Sequence, residues 1–350
     1  MPHAYDLTSA PRSISRRTPS RHSLEHWDAD DIGRATPAPT IFAARAYDHV
    51  GDDYGSYADG DNTSGEASST FGRYEHADAI VWQELRASLN QLRQANISNV
   101  RVLDAGCGPG TWTTRIASYA REIGLGTTVI GVDISTKQLA IARRNARSLA
   151  FSASNRRFTI EFQECDLSKP LPWADRHFDL VLCNYTVLNH LAEESLPAAV
   201  KELCRVSSGN VIATLRSLGS PPTACIIGME HVREYHHDNV EGELVVTLDD
   251  TSRHKIPFKM YTAQSLRAMF LPYADINELR AIDIFAGRFA ADGNWTAALL
   301  RGSPERRMVL EQLEQLEEKL CRRPGWIDHG THVLIVARAA NAQQCATPQL

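Results

Sequence analysis

From residue 76 onward the chain alternates two kinds of apolar pattern. "HADAIVWQELRASLNQLRQA" (76–95) spaces Ile80, Val81, Leu85, Leu89 and Leu92 along one side of a helix. "VRVLDAG" (100–106) is a short apolar run, as expected of a strand buried on both faces. The pair then repeats. Helix "TWTTRIASYAREIG" (111–124) precedes strand "TTVIGVDIS" (127–135). Helix "TKQLAIARRNARSLA" (136–150) carries Leu139, Ala142, Ala146 and Leu149 on one face and leads to strand "FTIEFQECD" (158–166). Strand "FDLVLCNY" (178–185), helix "EESLPAAVKELCRV" (193–206) and strand "GNVIATLRS" (209–217) complete the run. This alternation predicts an α/β fold: a doubly wound, mostly parallel sheet covered by helices on both faces.

After Ser217 the pattern breaks. "ACIIGMEHVREYHHD" (224–238) reads as helical, and "ELVVTLDD" (243–250) with "RHKIPFKMY" (253–261) reads as an inserted hairpin. The regular pattern resumes with helix "TAQSLRAMFLP" (262–272) and strand "INELRAIDIF" (276–285). A charged helix follows, "PERRMVLEQLEQLEEKL" (304–320), with an apolar stripe at Val309, Leu310, Leu313, Leu316 and Leu320. "THVLIVARA" (331–339) brings the sheet to seven strands. No internal repeat is visible. The chain therefore divides into a disordered tail (1–38), an N-terminal lid segment (39–75), a core (76–217), an inserted cap (218–261), the rest of the core (262–340) and a flexible end (341–350).

Composition narrows the function classes. With 350 residues, 43% of them hydrophobic and 23% charged, the chain is an ordinary globular protein. Its net charge of −5 argues against DNA and makes RNA a poor candidate partner. No apolar run is long enough to span a membrane. Cysteines at 107, 165, 183, 204, 225, 321 and 345 are odd in number and form no Cys-x-x-Cys pair, which suits reduced thiols and a cytoplasmic protein. The Arg- and Ser-rich start slightly resembles a transit peptide but lacks an amphipathic pattern. His231, His236 and His237 are the densest histidine group, yet adjacent residues on a helix point about 100° apart, so no metal site is expected.

The chemistry gathers at "VLDAGCGPGTW" (102–112). Gly106, Gly108 and Gly110 fill the turn between a strand ending at Asp104 and a helix beginning near Thr111, where backbone N–H groups can meet a ligand. A dinucleotide fingerprint would place its third glycine at 111, which is Thr. The segment instead resembles the first motif of the class I S-adenosylmethionine-dependent methyltransferases, and the likeness covers roughly residues 76–217. The resemblance implies S-adenosylmethionine as cofactor. The glycine turn and Asp104 would lie at its amino-acid part, Asp133 with Ile134 at the ribose, and Asp166 with Leu167 at the adenine. Asp133 falls 23 residues after Gly110, one helix and one strand away. Asp133 could also cap the next helix, though Ser135 can take that role; Asp166 could simply cap a turn.

The resemblance also places "NYTVLNHL" (184–191) beside the transferred methyl, with Asn184 as a cofactor contact, Tyr185 as an acceptor contact and His190 as the nearest base. Packing or capping is the alternative role for His190. No Pro-Pro-Tyr or Pro-Pro-Phe follows Asn184, which argues against exocyclic-amine methylation. Arg216 and Arg288 end predicted strands and could clamp a carboxylate. Tyr54 and Tyr57 are candidates for the acceptor pocket, since "FAARAYDHVGDDYGSY" carries more aromatics than a linker needs. The expected activity is methyl transfer to a small-molecule acceptor, at O or N, on an anionic metabolite or natural-product intermediate. A catalytically silent cofactor-binding regulator and an RNA methyltransferase are the alternatives.

Overall fold

The computed structural model describes residues 75–147, 157–219, 232–248, 251, 253–285 and 304–340. The tail 1–38, all but the last residue of the segment 39–75, and the end 341–350 lie outside the described residues, as do Tyr54, Tyr57 and Arg288.

Helix α1 (Glu75–Gln94) precedes strand β1 (Val100–Ala105). There follow α2 (Thr111–Glu122), β2 (Thr127–Asp133), α3 (Thr136–Arg147), β3 (Phe158–Glu164), β4 (Phe178–Cys183), α4 (Leu196–Val206) and β5 (Ser207–Arg216). Beyond lie β6 (Val232–Asp238), β7 (Glu243–Leu248), β8 (Arg253–Pro257), α5 (Ala263–Phe270), β9 (Ala274–Ile282), α6 (Pro304–Leu320) and β10 (His332–Ala339). Seven strands form one sheet in the order β3-β2-β1-β4-β5-β10-β9. The first five are parallel, and β10 runs antiparallel between β5 and β9, so the sheet is mostly parallel as the alternation predicts.

Two apolar layers sandwich the sheet, and residue parity decides which layer a side chain joins. Val100 and Val102 of β1 pack with Val81, Leu85, Leu89 and Ile116 of α1 and α2. Leu103 and Ala105 face the opposite layer with Val200 and Leu203 of α4 and Leu266 of α5. Asp104 shares the parity of Val102 and therefore meets α2, where the Thr113 hydroxyl donates to its Oδ2 at 2.5 Å. From β1 the chain winds one way to β2 and β3, and from β4 the other way to β5. That reversal opens a crevice at the C-terminal ends of β1 and β4, where open α/β sheets bind ligands.

Two expectations are corrected. The described part of 224–238 is strand β6, joined to β7 and β8 in a three-stranded antiparallel sheet. Its Tyr235 packs on Leu244, Val246, Phe258 and Met260, so pairing with the neighbouring hairpin overrides the local pattern. His236 and His237 then diverge because neighbours on a strand face opposite sides. Among the described residues no group of His, Cys, Asp and Glu is placed to hold a metal ion, and no helix is long and apolar enough to cross a membrane.

The second correction concerns α6. Leu316, expected on the apolar stripe, is 43% exposed, whereas Glu317 beside it is fully buried. The Glu317 carboxylate accepts the backbone N–H groups of Asp283 (2.6 Å), Ile284 (3.1 Å) and Phe285 (3.2 Å) at the end of β9, where Asp283 has a φ of 67°. It also meets His76 Nε2 of α1 at 3.1 Å. Burial pulls the His76 pKa down, but the hydrogen bond and charge of Glu317, with Asp283 and Glu314, leave it raised above 6.5. Burial pushes Glu317 up, yet His76 and the backbone donors leave it below 4.5.

We expect Glu317→Ala to cost roughly 3 kcal/mol or more in urea unfolding, because it strands buried N–H groups and an imidazolium. The contribution of the pair should be complete between pH 4.5 and 6.5. It should fade as pH rises through the raised His76 value, and again as pH falls through the lowered Glu317 value. A stability difference between wild type and Glu317→Gln that does not vary with pH would show the ion pair to be inert.

Candidate active site

The cavity in the crevice encloses about 1020 Å³ of space, open mouth included, at the upper end for a small-molecule site. Its wall combines the ends of four elements. Asp104, Gly106 and Gly108 come from the turn after β1, and Asp133 and Ile134 from the end of β2. Asp166 and Leu167 follow β3; Asn184, Tyr185 and His190 follow β4. These widely separated sequence candidates are thus brought to one surface.

The glycine turn is held from beneath. Gly106 N–H and Cys107 N–H both donate to the Val132 carbonyl at 2.8 Å, and Gly108 N–H donates to Asp133 Oδ2 at 2.8 Å. Gly106, Gly108 and Gly110 have φ of 76°, 51° and 81°, a region costly for other residues. At two of them the close neighbour is the protein itself. A Cβ on Gly106 would lie 2.4 Å from Cγ2 of Val187, and one on Gly110 would lie 2.9 Å from Cβ of Ala142 and 3.1 Å from Cζ of Phe162. Gly108 lies on the cavity wall.

The acids differ in state. Burial pushes the Asp104 carboxyl up to about 7, against the opposing pull of the Thr113 hydrogen bond and with a further rise from Asp133. Asp133 also accepts Ser135 N–H at 2.9 Å, while the Ser135 hydroxyl accepts Gln138 N–H at 3.1 Å and caps α3. Ser135 therefore takes the capping role, yet Asp133 is engaged by two backbone donors. Asp166 Oδ1 accepts Ser168 N–H at 2.9 Å, which makes it a turn cap as well as a wall residue.

Beyond β4 the chain turns sharply. Tyr185 has a φ of 60°, and its N–H is satisfied by Asn184 Oδ1 at 2.9 Å and by the Thr214 hydroxyl. That hydroxyl donates in turn to Asn184 Oδ1 at 2.8 Å. Asn184 is 6% exposed, and its amide Nδ2 has no hydrogen-bond partner among the described residues. The residue lines the cavity, and a buried donor left this way is an uncompensated polar group beside it.

His190 Nδ1 lies 2.9 Å from the Pro257 carbonyl, so that nitrogen carries the proton, and its ring stands edge-on to Phe258 at 5.2 Å. Burial lowers its pKa to about 4. A general base works best with a pKa near the operating pH, so this environment suits packing against the small sheet better than proton abstraction. Arg216, expected to face the crevice, is fully buried and absent from the described cavity wall. Its backbone N–H donates to Asn189 Oδ1 at 2.7 Å, and its Nη1 lies 3.5 Å from Nε2 of His332. His332 is held well below its usual pKa by burial and by the Arg216 charge.

Thr111 and Trp112 of the glycine segment and Thr186, Val187 and Leu191 of 184–191 also line the wall without having been singled out within those segments, and Gln138 lies outside both. Gln138 had a signal, since Ser135-x-x-Gln138 is a capping box. The apolar ones carry none, because only the fold decides which apolar side chain meets a cavity. Cys107 and Cys165 also line it; burial raises Cys107 and pushes Cys165 to about 11, so neither is a thiolate nucleophile at neutral pH.

Residues 102–209 match a family model described as a methyltransferase domain. Among curated relatives, a probable methyltransferase of Aspergillus luteorubrus is 36% identical over 115 residues, 32% of this chain and 38% of that protein. The ubiquinone biosynthesis O-methyltransferase of Brucella anthropi is 31% identical over 157 residues, 44% of this chain and 57% of that protein. The chain thus spans between about a third and three-fifths of the length of these relatives. The solved structure of an S-adenosylmethionine-dependent methyltransferase from Mesorhizobium loti is similar at 18% identity and a TM-score of 0.39, over 73% of this chain and 96% of that one.

The packing of Gly106 against Val187 is testable. Gly106→Ala should cost roughly 2–4 kcal/mol, from left-handed backbone strain and overpacking together. Adding Val187→Ala should recover at least about 1 kcal/mol of that loss as a coupling energy in a double-mutant cycle. Strict additivity would show that the valine does not dictate the glycine.

Proposed function

We propose that this protein transfers the methyl group of S-adenosylmethionine to a hydroxyl oxygen of a small-molecule acceptor. The observation that carries the reading is a cavity whose wall sets carboxylates at three strand ends, with a buried, unsatisfied amide at a fourth. S-adenosylmethionine has a complement for each carboxylate: the cationic amino-acid and sulfonium part for Asp104, the ribose hydroxyls for Asp133 and the adenine amine for Asp166. Bound there, it supplies an electrophilic methyl on a sulfonium. The protein's work is then alignment and exclusion of water.

Asn184 favours oxygen as the nucleophile. An acceptor oxygen has two lone pairs, one to receive the Asn184 Nδ2 hydrogen bond and one to attack the methyl. A neutral amine has a single lone pair and cannot do both. The hydroxyl proton departs to solvent and the sulfonium becomes a neutral thioether. Because His190 is held near 4, the acceptor that suits this site is an acidic hydroxyl, a phenol or an enol, that ionises without a strong base. The name of the O-methyltransferase relative agrees with oxygen as the acceptor atom.

Calorimetry with S-adenosylhomocysteine tests the cofactor assignment. Wild type should bind, and Asp133→Ala should lose roughly 1.5–3 kcal/mol of affinity. Affinity should rise with pH up to about 7 and level off above it, since the ionised form of Asp104 receives the ligand's cation. Asp104→Asn should abolish that dependence. Absence of binding to the wild type sinks the reading, and binding without transfer to any phenol or enol in a panel would leave a silent binding protein.

The role of His190 has its own test. The pH–rate profile with a phenolic acceptor should track the acceptor's ionisation and be unchanged in shape by His190→Gln. An inflection near 6.5 that the variant lacks would make His190 the base.

A further inference from the structure

We propose that the acidic, tyrosine-bearing stretch 47–66 of this same chain docks in a groove between α1 and α2, outside the cavity described above. The groove is lined by Trp82 and Arg86 of α1 and by Arg115, Ser118, Tyr119 and Arg121 of α2, with Glu122 beside them. Two of its three arginines lie over rings. The Arg86 guanidinium carbon lies 5.1 Å from the Tyr119 ring centre. That of Arg115 lies 4.8 Å from Trp112 and 5.7 Å from Trp82. Stacking fixes a guanidinium by its face while its N–H groups lie in plane, where a carboxylate engages them. A concave surface of indole, phenol and guanidinium suits an acidic segment interleaved with aromatic side chains.

The chain contains one such segment within reach. Between Arg45 and Arg73 there is no Lys or Arg, and Asp48, Asp52, Asp53, Asp59, Asp61 and Glu66 stand among Tyr47, Tyr54 and Tyr57. The described structure begins at Glu75, the first residue of α1, and the groove opens at Trp82, seven residues and about 10 Å further along that helix. The nine residues from Glu66 to Glu75 can span about 30 Å, so the acidic stretch reaches the groove from where the helix starts. Exposed ion pairs are individually weak. A short tether raises the segment's effective concentration to about millimolar, at which weak pairs suffice. The seat adjoins the cavity, because Trp112 carries Arg115 on its ring and also forms part of the cavity wall.

The test is chymotryptic cleavage after Tyr54 and Tyr57 in the full chain at low salt, a readout independent of methyl transfer. Docking therefore stands or falls apart from the proposed activity. R86E/R121E should be cut about three to ten times faster than wild type. D53K/D59K, which leaves the groove untouched, should lose protection by a similar factor. Combining the two pairs should restore slow cleavage, and raised salt should abolish protection in wild type. Unchanged rates in R86E/R121E, or a charge swap that fails to restore protection, overturn the proposal. So does protection that grows with protein concentration, which would place the segment on a second copy.

Discussion

Asp133 is the constraint on which the cavity depends. Its two carboxylate oxygens take the N–H of Gly108 from the turn after β1 and the N–H of Ser135 from the turn before α3. Two loops that leave neighbouring strands are thereby joined through one charged group, each bond to which contributes on the order of 1.5–3 kcal/mol. The Val132 carbonyl just before it anchors two further N–H groups of the glycine turn. With the turn so fixed, α2 starts where Thr113 can reach Asp104, and α3 starts where Gln138 reaches the wall.

The legible parts of this molecule are those governed by local periodicity. Helices such as Glu75–Gln94 and strands such as Val100–Ala105 follow from apolar spacing alone, whereas Asp104, Asp133 and Asp166 are singled out by the resemblance together with their places after predicted strands. What was illegible depends on partners distant in sequence. Strand β6 reads as helix until β7 is beside it. Arg216 does end its strand, but its guanidinium lies beside His332, which the local pattern cannot place next to it. The three glycines all lie at positive φ, and the crowding at Gly106 comes from Val187, some eighty residues later.

The small sheet and the cavity share one short piece of chain. In the 3₁₀ turn Val187–His190, Asn189 exchanges hydrogen bonds with Lys259 in both directions and binds Arg216, while His190 bonds Pro257. Val187 and His190 of the same turn face the cavity. A displacement of the small sheet therefore moves cavity wall directly, with no intervening element to absorb it.

The Glu317 clamp has a consequence for the order in which the chain assembles. His76 leaves the ribosome early, whereas its partner lies 241 residues later in sequence. During synthesis α1 can settle on the nascent sheet through Val81, Leu85 and Leu89, but the His76 end of it lacks its Glu317 partner until α6 has emerged. Closing so large a loop is slow, because the entropy of bringing its ends together must be met before the contact stabilises anything. The amino-terminal end of α1 is therefore fixed only once Glu317 is in place.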